Sequence, residues 1–286
     1  MNKKQIKNRI YRLLLILLFI VVYLASALSS VLFFGKDEAS GIVTITGHRG
    51  AAGLAPENTL VAIRKGISFN VDRIEIDVQQ TADGVVVVRH DETLDRTTNG
   101  EGLIKDKTFL EVKNLDAGSS YSSEYKGEKI PSLEEALQTV NGQCDLIIEI
   151  KKGNDFYPNI VENTIELIKK YNARDWCIIH SFNIDVLVRA NQLMPDLRLH
   201  RLWVYKFRGL PLIYDGSFNS MDIDKYSFIE EYSIMYNFAN QGIINQLHKH
   251  GKKVNVWTVD DKKHINRLIN LGVDGIITDR PDLMVD

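Results

Sequence analysis

The chain has 286 residues, of which 44% are hydrophobic and 25% are charged, and its formal net charge is −2. This length accommodates one large domain with a small appendage, and the ordinary composition argues against extended disorder. Residues 1–12 hold five basic residues and no acid, which leaves 30 basic and 37 acidic residues in the remainder. A mildly acidic body without a basic stripe argues against nucleic acid as a partner.

The amino terminus has the pattern of a membrane anchor. Residues 13–34 contain no charged side chain and are numerous enough to span a bilayer. The basic segment before them predicts a cytoplasmic amino terminus, so the body beyond the linker at residues 35–41 is expected outside the cell membrane as a single-pass protein. The alternative is secretion after signal cleavage, because Ala25-Ser26-Ala27 resembles a cleavage site. The apolar run continues past these residues, which favours the anchor.

The body, residues 42–286, alternates strand-like apolar runs with amphipathic helical runs, which is typical of a parallel α/β fold. The predicted strands lie near 42–47, 71–79, 145–150, 175–180, 197–204, 220–224, 253–258 and 274–278. The predicted helices lie near 57–68, 132–141, 158–171, 184–193, 241–250 and 261–271. Eight such strands predict a closed (β/α)8 barrel, the TIM barrel. Residues 92–130 follow an additional strand-like run at Val85–Val88, and they are predicted to be an insertion on the catalytic face.

Acidic side chains occupy positions in two strands that would normally be core. Glu75 and Asp77 are two residues apart and therefore project to one face, and Glu149 and Lys151 do the same in another strand. Three carboxylates at one barrel mouth would form an oxygen-ligand site for one divalent cation, Ca²⁺ or Mg²⁺, and zinc is disfavoured without thiolates or a histidine cage. Ordinary surface alternation or a Glu–Lys salt bridge is the alternative for either pair.

Two histidines follow predicted strands at the end where barrel enzymes place their chemistry. His48 lies after the first strand, and His90 lies after the run of valines. Two imidazoles beside a metal-bound phosphate can act as base and acid, while Arg49 and Lys151 would offset its charge. Glu57 stands at a helix start, where the helix dipole alone would explain it.

Cys144 and Cys177 are the two cysteines of the chain, and they do not have metal-ligand spacing. Both stand at the starts of neighbouring predicted strands, which leaves a disulfide geometrically open. Two buried thiols are the favoured interpretation.

Together, these motifs resemble those of the glycerophosphodiester phosphodiesterase family over residues 42–284. The matching strings are Gly47-His48-Arg49-Gly50, Pro56-Glu57-Asn58-Thr59, Glu75-Ile76-Asp77-Val78, Asp83-Gly84, His90-Asp91, Leu94 to Gly102, Pro131-Ser132-Leu133, Glu149-Ile150-Lys151, Trp257-Thr258-Val259 and Gly272 to Pro281. The ordered set is far more specific than any single string.

The resemblance implies a TIM barrel with an inserted subdomain at residues 92–130. It also implies metal-dependent hydrolysis of a small-molecule or lipid-derived glycerophosphodiester to glycerol 3-phosphate and an alcohol. The implied roles are Glu75, Asp77 and Glu149 as metal ligands, His48 and His90 as the acid/base pair, Arg49 and Lys151 as phosphate contacts, Glu57 near the metal or glycerol, and Trp257 at the pocket wall. Trp257 could equally be a core aromatic.

The sequence leaves other functions open. The substrate's own hydroxyl could attack phosphorus and give a cyclic phosphate, or the enzyme could act like a lysophospholipase D on lysolipids or on an envelope glycerol-phosphate polymer. A third function is non-catalytic binding of an anionic polymer, which the presence of both His48 and His90 disfavours. The alcohol released, the choice between Ca²⁺ and Mg²⁺, and the oligomeric state are not readable from the sequence.

Overall fold

A computed structural model describes residues 43–203 and 220–284. The predicted basic segment at 1–12, the predicted membrane span at 13–34 and the linker at 35–41 lie outside the described residues. Within the described ranges, no helix is both long enough and apolar enough to cross a membrane.

One sheet organises the described part of the chain, and most of it is closed. Its strands are β1 (Thr44–Gly47), β2 (Arg73–Gln80), β3 (Val86–Val88), β4 (Asp145–Ile150), β5 (Cys177–Ser181), β6 (Arg198–Trp203), β7 (Glu231–Met235), β8 (Lys253–Trp257) and β9 (Gly275–Thr278). The order is β1-β9-β8-β7-β6-β5-β4-β2-β3, and β1 also pairs with β2. That pairing closes eight parallel strands into a barrel, while β3 lies antiparallel to β2. The predicted TIM barrel is confirmed.

Most of the helices cover the outside of this barrel, and one, Phe109–Asn114, belongs to the segment at residues 92–130. The helices are α1 (Leu60–Ile67), α2 (Phe109–Asn114), α3 (Leu133–Val140), α4 (Ile160–Lys170), α5 (Ile184–Leu193), α6 (Ser220–Lys225), α7 (Gln241–Lys249) and α8 (Lys262–Leu271). Apolar residues on the outward face of each strand pack against the helices and form one continuous core. Polar side chains cap the helices, as at α3, where Ser132 and Glu135 form a reciprocal capping box.

One predicted strand is wrong. The segment expected as a strand at 220–224 belongs to helix α6, and the barrel strand is β7, Glu231–Met235. A five-residue alternation of apolar and polar residues fits one turn of a helix as well as a short strand. The true strand was missed because its inward residues, Glu231 and Ser233, are polar although they are buried.

Residues 92–130 fold against the barrel with a small apolar cluster of their own. That cluster comprises Leu94, Ile104, Val112, Ala117 and Ile130 of the segment, together with Val87 of β3. Asp116 organises the following loop, because its carboxylate accepts backbone hydrogen bonds from Gly118, Ser119 and Gly127. The segment is therefore ordered by its own packing and by turn hydrogen bonds.

Both cysteines are free thiols, as favoured from the sequence. Cys177 is buried on β5, and Cys144 is half-buried just before β4. Burial raises the pKa of Cys177 strongly, and burial beside Asp145 raises the pKa of Cys144 to about 11. Neither thiol is primed to react at neutral pH.

A buried ion pair fills the amino-terminal end of the barrel. Arg73 on β2 donates to both carboxylate oxygens of Glu231 on β7, at 2.6 and 2.9 Å, and Asn255 on β8 also donates to Glu231. Burial alone would raise the pKa of Glu231, but Arg73 lowers it to about 2. The bidentate geometry ties opposite sides of the barrel together where aliphatic side chains usually pack.

Replacing Glu231 by glutamine leaves the buried Arg73 with only the more distant Asp145, at 3.8 Å and already paired with Arg198, so we expect Glu231→Gln to lower the free energy of unfolding by about 3 kcal/mol. Urea unfolding followed by tryptophan fluorescence measures this. The matched control is Glu230→Gln, the exposed neighbour, which should change stability by less than about 0.5 kcal/mol. The difference from wild type should shrink as the pH falls from 4.5 toward 2, because protonation removes the charge that Arg73 pairs with. Equal effects of the two variants would contradict a stabilising role for the pair.

Candidate active site

Three carboxylates converge at the carboxyl ends of adjacent strands. On β2, Ile74, Ile76 and Val78 pack outward into the core, so the alternating Glu75 and Asp77 face the barrel interior. Asp77 is in register with Glu149 on β4. The three buried side chains each place an oxygen within 4.8 Å of the others. The structure thus brings together the three predicted metal ligands.

This carboxylate triad is short of positive charge. Burial and repulsion from Asp77 raise the pKa of Glu75 to about 7. Burial also raises the pKa of Glu149, to about 8, although Lys151 opposes the shift. Burial acts on Asp77 in the same direction, but Lys151 and Arg49 outweigh it and hold the pKa of Asp77 below its ordinary value. Two of the three carboxyls would therefore gain from another cation.

The triad fits a hard divalent cation. Glu75 Oε1 is buried and has no hydrogen-bond partner among the described residues. An orphaned, buried carboxylate oxygen that faces two further carboxylates is costly unless a metal or a donor meets it. Carboxylate oxygens suit Ca²⁺ and Mg²⁺ equally in kind, so this donor set accommodates either ion.

Two cationic side chains flank the triad. Lys151 Nζ lies 2.8 Å from Glu149 Oε1 and 2.9 Å from Asp77 Oδ1. Arg49 Nε lies 3.4 Å from Asp77 Oδ2, and the Arg49 backbone N–H donates to Glu75 at 2.9 Å. The loop reaches this position through a left-handed turn at Gly50, with φ of +91°, where a Cβ would lie 2.5 Å from the Ala62 backbone. Glycine is therefore required beside Arg49.

A carboxylate holds Nδ1 of each predicted catalytic histidine. His48 Nδ1 lies 2.7 Å from Asp279 Oδ1, and His90 Nδ1 lies 2.6 Å from Asp91 Oδ1. In each ring this leaves Nε2 as the nitrogen available to a ligand. Burial alone would lower the pKa of His48, but Asp279 and Glu75 raise it. Burial and the nearby Lys151 and Arg49 lower the pKa of His90.

A cavity of about 200 Å³ joins these groups. Its lining includes the polar and charged residues His48, Arg49, Glu75, His90, Glu149 and Lys151, and also His180, Phe182, Leu202, Trp257, Thr258 and Ile277. Trp257 packs edge-to-face against Phe182, with ring centroids 5.8 Å apart, and its Nε1 donates to the Ser233 carbonyl. The cavity thus offers anion-binding groups and an apolar surface to one small ligand.

Glu57 is placed differently from the other predicted site residues. It is absent from the described residues that line the cavity. Its Oε1 instead accepts hydrogen bonds from Arg49, at 2.9 Å, and from Arg96, at 2.6 Å. This placement favours a role behind Arg49 over direct contact with metal or glycerol.

Two residues that hold the site together, Asn58 and Asp279, have no role predicted from the sequence. Asn58 Nδ2 donates to Asp77 Oδ2 at 2.7 Å, and its Oδ1 accepts from the Asp77 backbone N–H. Asp279 reaches His48 across 231 positions in the sequence. Both residues belong to the strings quoted above, and their positions beside a helix start and a strand end were the signal that could have found them.

The carboxyl-terminal mouth of the barrel brings together a carboxylate triad that fits a divalent cation, two oriented histidines and two cationic side chains. This combination is typical of barrel enzymes that hydrolyse anionic substrates with the help of a metal. The sequence model of the glycerophosphoryl diester phosphodiesterase family matches residues 48–283. The chain belongs to this family.

Similar proteins cover nearly the whole barrel. A glycerophosphodiester phosphodiesterase of Caldanaerobacter subterraneus subsp. tengcongensis is 39% identical over 243 residues, which cover 85% of this chain and 96% of that protein. A Bacillus subtilis protein of the same name is 32% identical and covers 97% of each chain. The structure of an Oleispira antarctica phosphodiesterase in complex with the product sn-glycerol-3-phosphate superposes with a TM-score of 0.76 at 29% identity, covering 83% of this chain and 93% of that one.

Asn58 adopts φ of +58°, so Asn58→Gly removes its side chain without backbone strain. Asn58→Gly removes the side-chain donor that positions the Asp77 carboxylate. Because partners of metal ligands support metal binding, we expect divalent-cation affinity to fall about ten- to hundredfold. Calorimetric titration with Ca²⁺ and with Mg²⁺ measures the change. The matched control is Asn70→Gly, an exposed residue with φ of +54°, which should bind the ion as wild type does. Unchanged affinity in Asn58→Gly would show that Asn58 does not support the site.

Proposed function

We propose that the chain hydrolyses glycerophosphodiesters to glycerol 3-phosphate and an alcohol in the cavity at the barrel mouth, with one Ca²⁺ or Mg²⁺ held by Glu75, Asp77 and Glu149. The observation that carries this proposal is a charge-deficient carboxylate triad that shares one cavity with two carboxylate-oriented histidines. Family membership supports the reaction class, and the product complex of the Oleispira antarctica relative supports glycerol 3-phosphate as the product.

The residues divide the reaction among them. The cation, when bound, supplies Lewis-acid charge to a phosphate oxygen. One of His48 and His90 takes a proton from the attacking water as the new P–O bond forms. The other gives a proton to the alcohol oxygen as its bond to phosphorus breaks. Arg49 and Lys151 offset the negative charge that develops on the phosphoryl oxygens.

The remaining predicted residues act at the edge of this chemistry. Trp257, together with Phe182, gives the cavity an apolar surface, which suits the carbon skeleton of the diester. Glu57 acts through Arg49, whose guanidinium it holds by a hydrogen bond of 2.9 Å.

Metal removal tests the reaction class directly. We expect the purified chain to release glycerol 3-phosphate from glycerophosphocholine, to lose this activity after EDTA treatment, and to regain it when Ca²⁺ or Mg²⁺ is restored. Enzymatic assay of glycerol 3-phosphate, with phosphorus NMR to detect any cyclic phosphate, measures the products. Full activity in EDTA would rule out the metal-assisted mechanism, and a cyclic phosphate as final product would rule out direct hydrolysis.

The histidines are tested separately from the metal. His48→Ala and His90→Ala should each lower kcat at least a hundredfold, since general acid–base catalysis accelerates such reactions by a factor of ~10²–10⁴. Both variants should keep cation affinity within about threefold, because neither ring belongs to the triad. The matched control is His248→Ala, a half-exposed residue that pairs with Asp274 away from the cavity. Near-normal turnover in either site variant would contradict the acid/base assignment.

We also propose that residues 13–34 anchor the protein in the cell membrane with the catalytic domain outside. The support is the uncharged segment behind a basic amino terminus. Membrane fractionation of the full chain, followed by protease treatment of intact cells, tests this arrangement. Recovery in the membrane with a protease-sensitive body is expected. Recovery in the medium would favour cleavage, and a protease-protected body would contradict the orientation.

A further inference from the structure

Arg96, in the segment at residues 92–130, contacts both sides of the catalytic machinery through carboxylates. Its Nη1 and Nη2 donate to the two oxygens of Glu57, at 2.9 and 2.6 Å. Its Nε donates to Asp91 Oδ2 at 2.6 Å. One guanidinium therefore holds two carboxylates that belong to different loops of the barrel mouth.

Each of those carboxylates contacts a proposed catalytic group with its remaining hydrogen-bonding capacity. Asp91 Oδ1 meets His90 Nδ1 at 2.6 Å. Glu57 Oε1 accepts from Arg49 Nη1 at 2.9 Å. A continuous chain of charge-assisted hydrogen bonds thus runs from His90 to Arg49, with Arg96 at its centre.

The shape of arginine matters at this position. The planar guanidinium meets Glu57 with two parallel N–H groups and still directs Nε to Asp91, which a lysine ammonium on a flexible stem cannot reproduce in one geometry. The Arg96 side chain is half exposed at 49%, so these ion pairs add little to stability by themselves. These ion pairs therefore matter more for the orientation of the site than for the stability of the fold.

We propose that Arg96 is a positioning residue that couples the insertion to catalysis, orienting His90 through Asp91 and Arg49 through Glu57. This inference rests on the proposed phosphodiesterase function. Arg96 itself does not line the cavity, so it acts through its two partners. Asp91 contacts the proposed acid/base residue His90, and Glu57 contacts the proposed phosphate-binding residue Arg49.

The test measures kcat, KM and the inhibition constant of inorganic phosphate with glycerophosphocholine as substrate. Arg96→Met should lower kcat on the order of tenfold and raise the phosphate inhibition constant several-fold, since small displacements of catalytic groups are costly. Asp91→Asn should affect mainly kcat, and Glu57→Gln mainly the phosphate constant. When Arg96→Met is added to either variant, kcat and the phosphate inhibition constant should change by a smaller factor than they do in Arg96→Met alone. One of the two hydrogen-bonded connections through Arg96 is already lost in each of those variants.

Two further variants complete the design. Arg96→Lys retains the charge and should recover only part of the loss, which also provides a folded variant if methionine is not tolerated. The matched control is Arg189→Met, an arginine of similar exposure that pairs with Glu162 on the outer helices, and it should leave kcat and phosphate inhibition unchanged.

Kinetic constants of Arg96→Met or Arg96→Lys within twofold of wild type would overturn the role of Arg96 while leaving the phosphodiesterase function intact. Full additivity with both Asp91→Asn and Glu57→Gln would overturn it too. Absence of glycerol 3-phosphate release by the wild type would overturn the proposed function, and the role of Arg96 with it.

Discussion

Parallel strands β2 and β4 set Asp77 beside Glu149, and the pleat of β2 adds Glu75 two positions away. Three negative charges then share a space from which water is largely excluded, where repulsion between them is much stronger than in solvent. Neighbouring side chains offset part of this repulsion. Arg49 and Lys151 approach the triad, and Asn58 donates to it, yet Glu75 keeps an oxygen without a partner among the described residues. A divalent cation held by the triad would complete the charge balance and would supply the Lewis-acid charge that a metal-assisted phosphodiesterase uses.

Buried charge also has to be balanced at the amino-terminal end of the barrel, and there the balancing charges belong to the protein itself. Arg73 and Glu231 pair through two hydrogen bonds, and Asn255 also donates to the carboxylate. Asp145 lies 3.8 Å from Arg73, and Lys253 lies 3.8 Å from Glu231. The charges of the ion pair of Arg73 and Glu231 are balanced within the chain, and the pair contributes to folding. At the mouth of the barrel, the carboxylate triad is short of positive charge. A ligand that supplies this charge contributes binding energy there. The division fits the general pattern of barrels, in which one end supports stability and the other supports catalysis.

Much of this arrangement could be predicted from the sequence, because it depends on local periodicity. Alternation within β2 and β4 is sufficient to place Glu75, Asp77 and Glu149 on the inner face of their strands. Strand β7 was missed, since a buried glutamate has the sequence pattern of a surface residue and its partner lies on the distant strand β2. The contact between His48 and Asp279 depends on the pairing of β1 with β9. The position of Asp279 after a strand is a sequence signal for the site, but the spacing along the chain does not identify His48 as its partner. Hydrogen bonds of this kind are set by topology and carry no periodic signal.

Diffraction from crystals soaked in Mn²⁺ tests the claim that Glu75, Asp77 and Glu149 form a cation site. The anomalous signal locates the ion independently of any assay. We expect one ion within about 2.0–2.6 Å of an oxygen from each of the three carboxylates. An ion bound elsewhere, or a triad that remains paired only with Lys151 at saturating Mn²⁺, would contradict the claim.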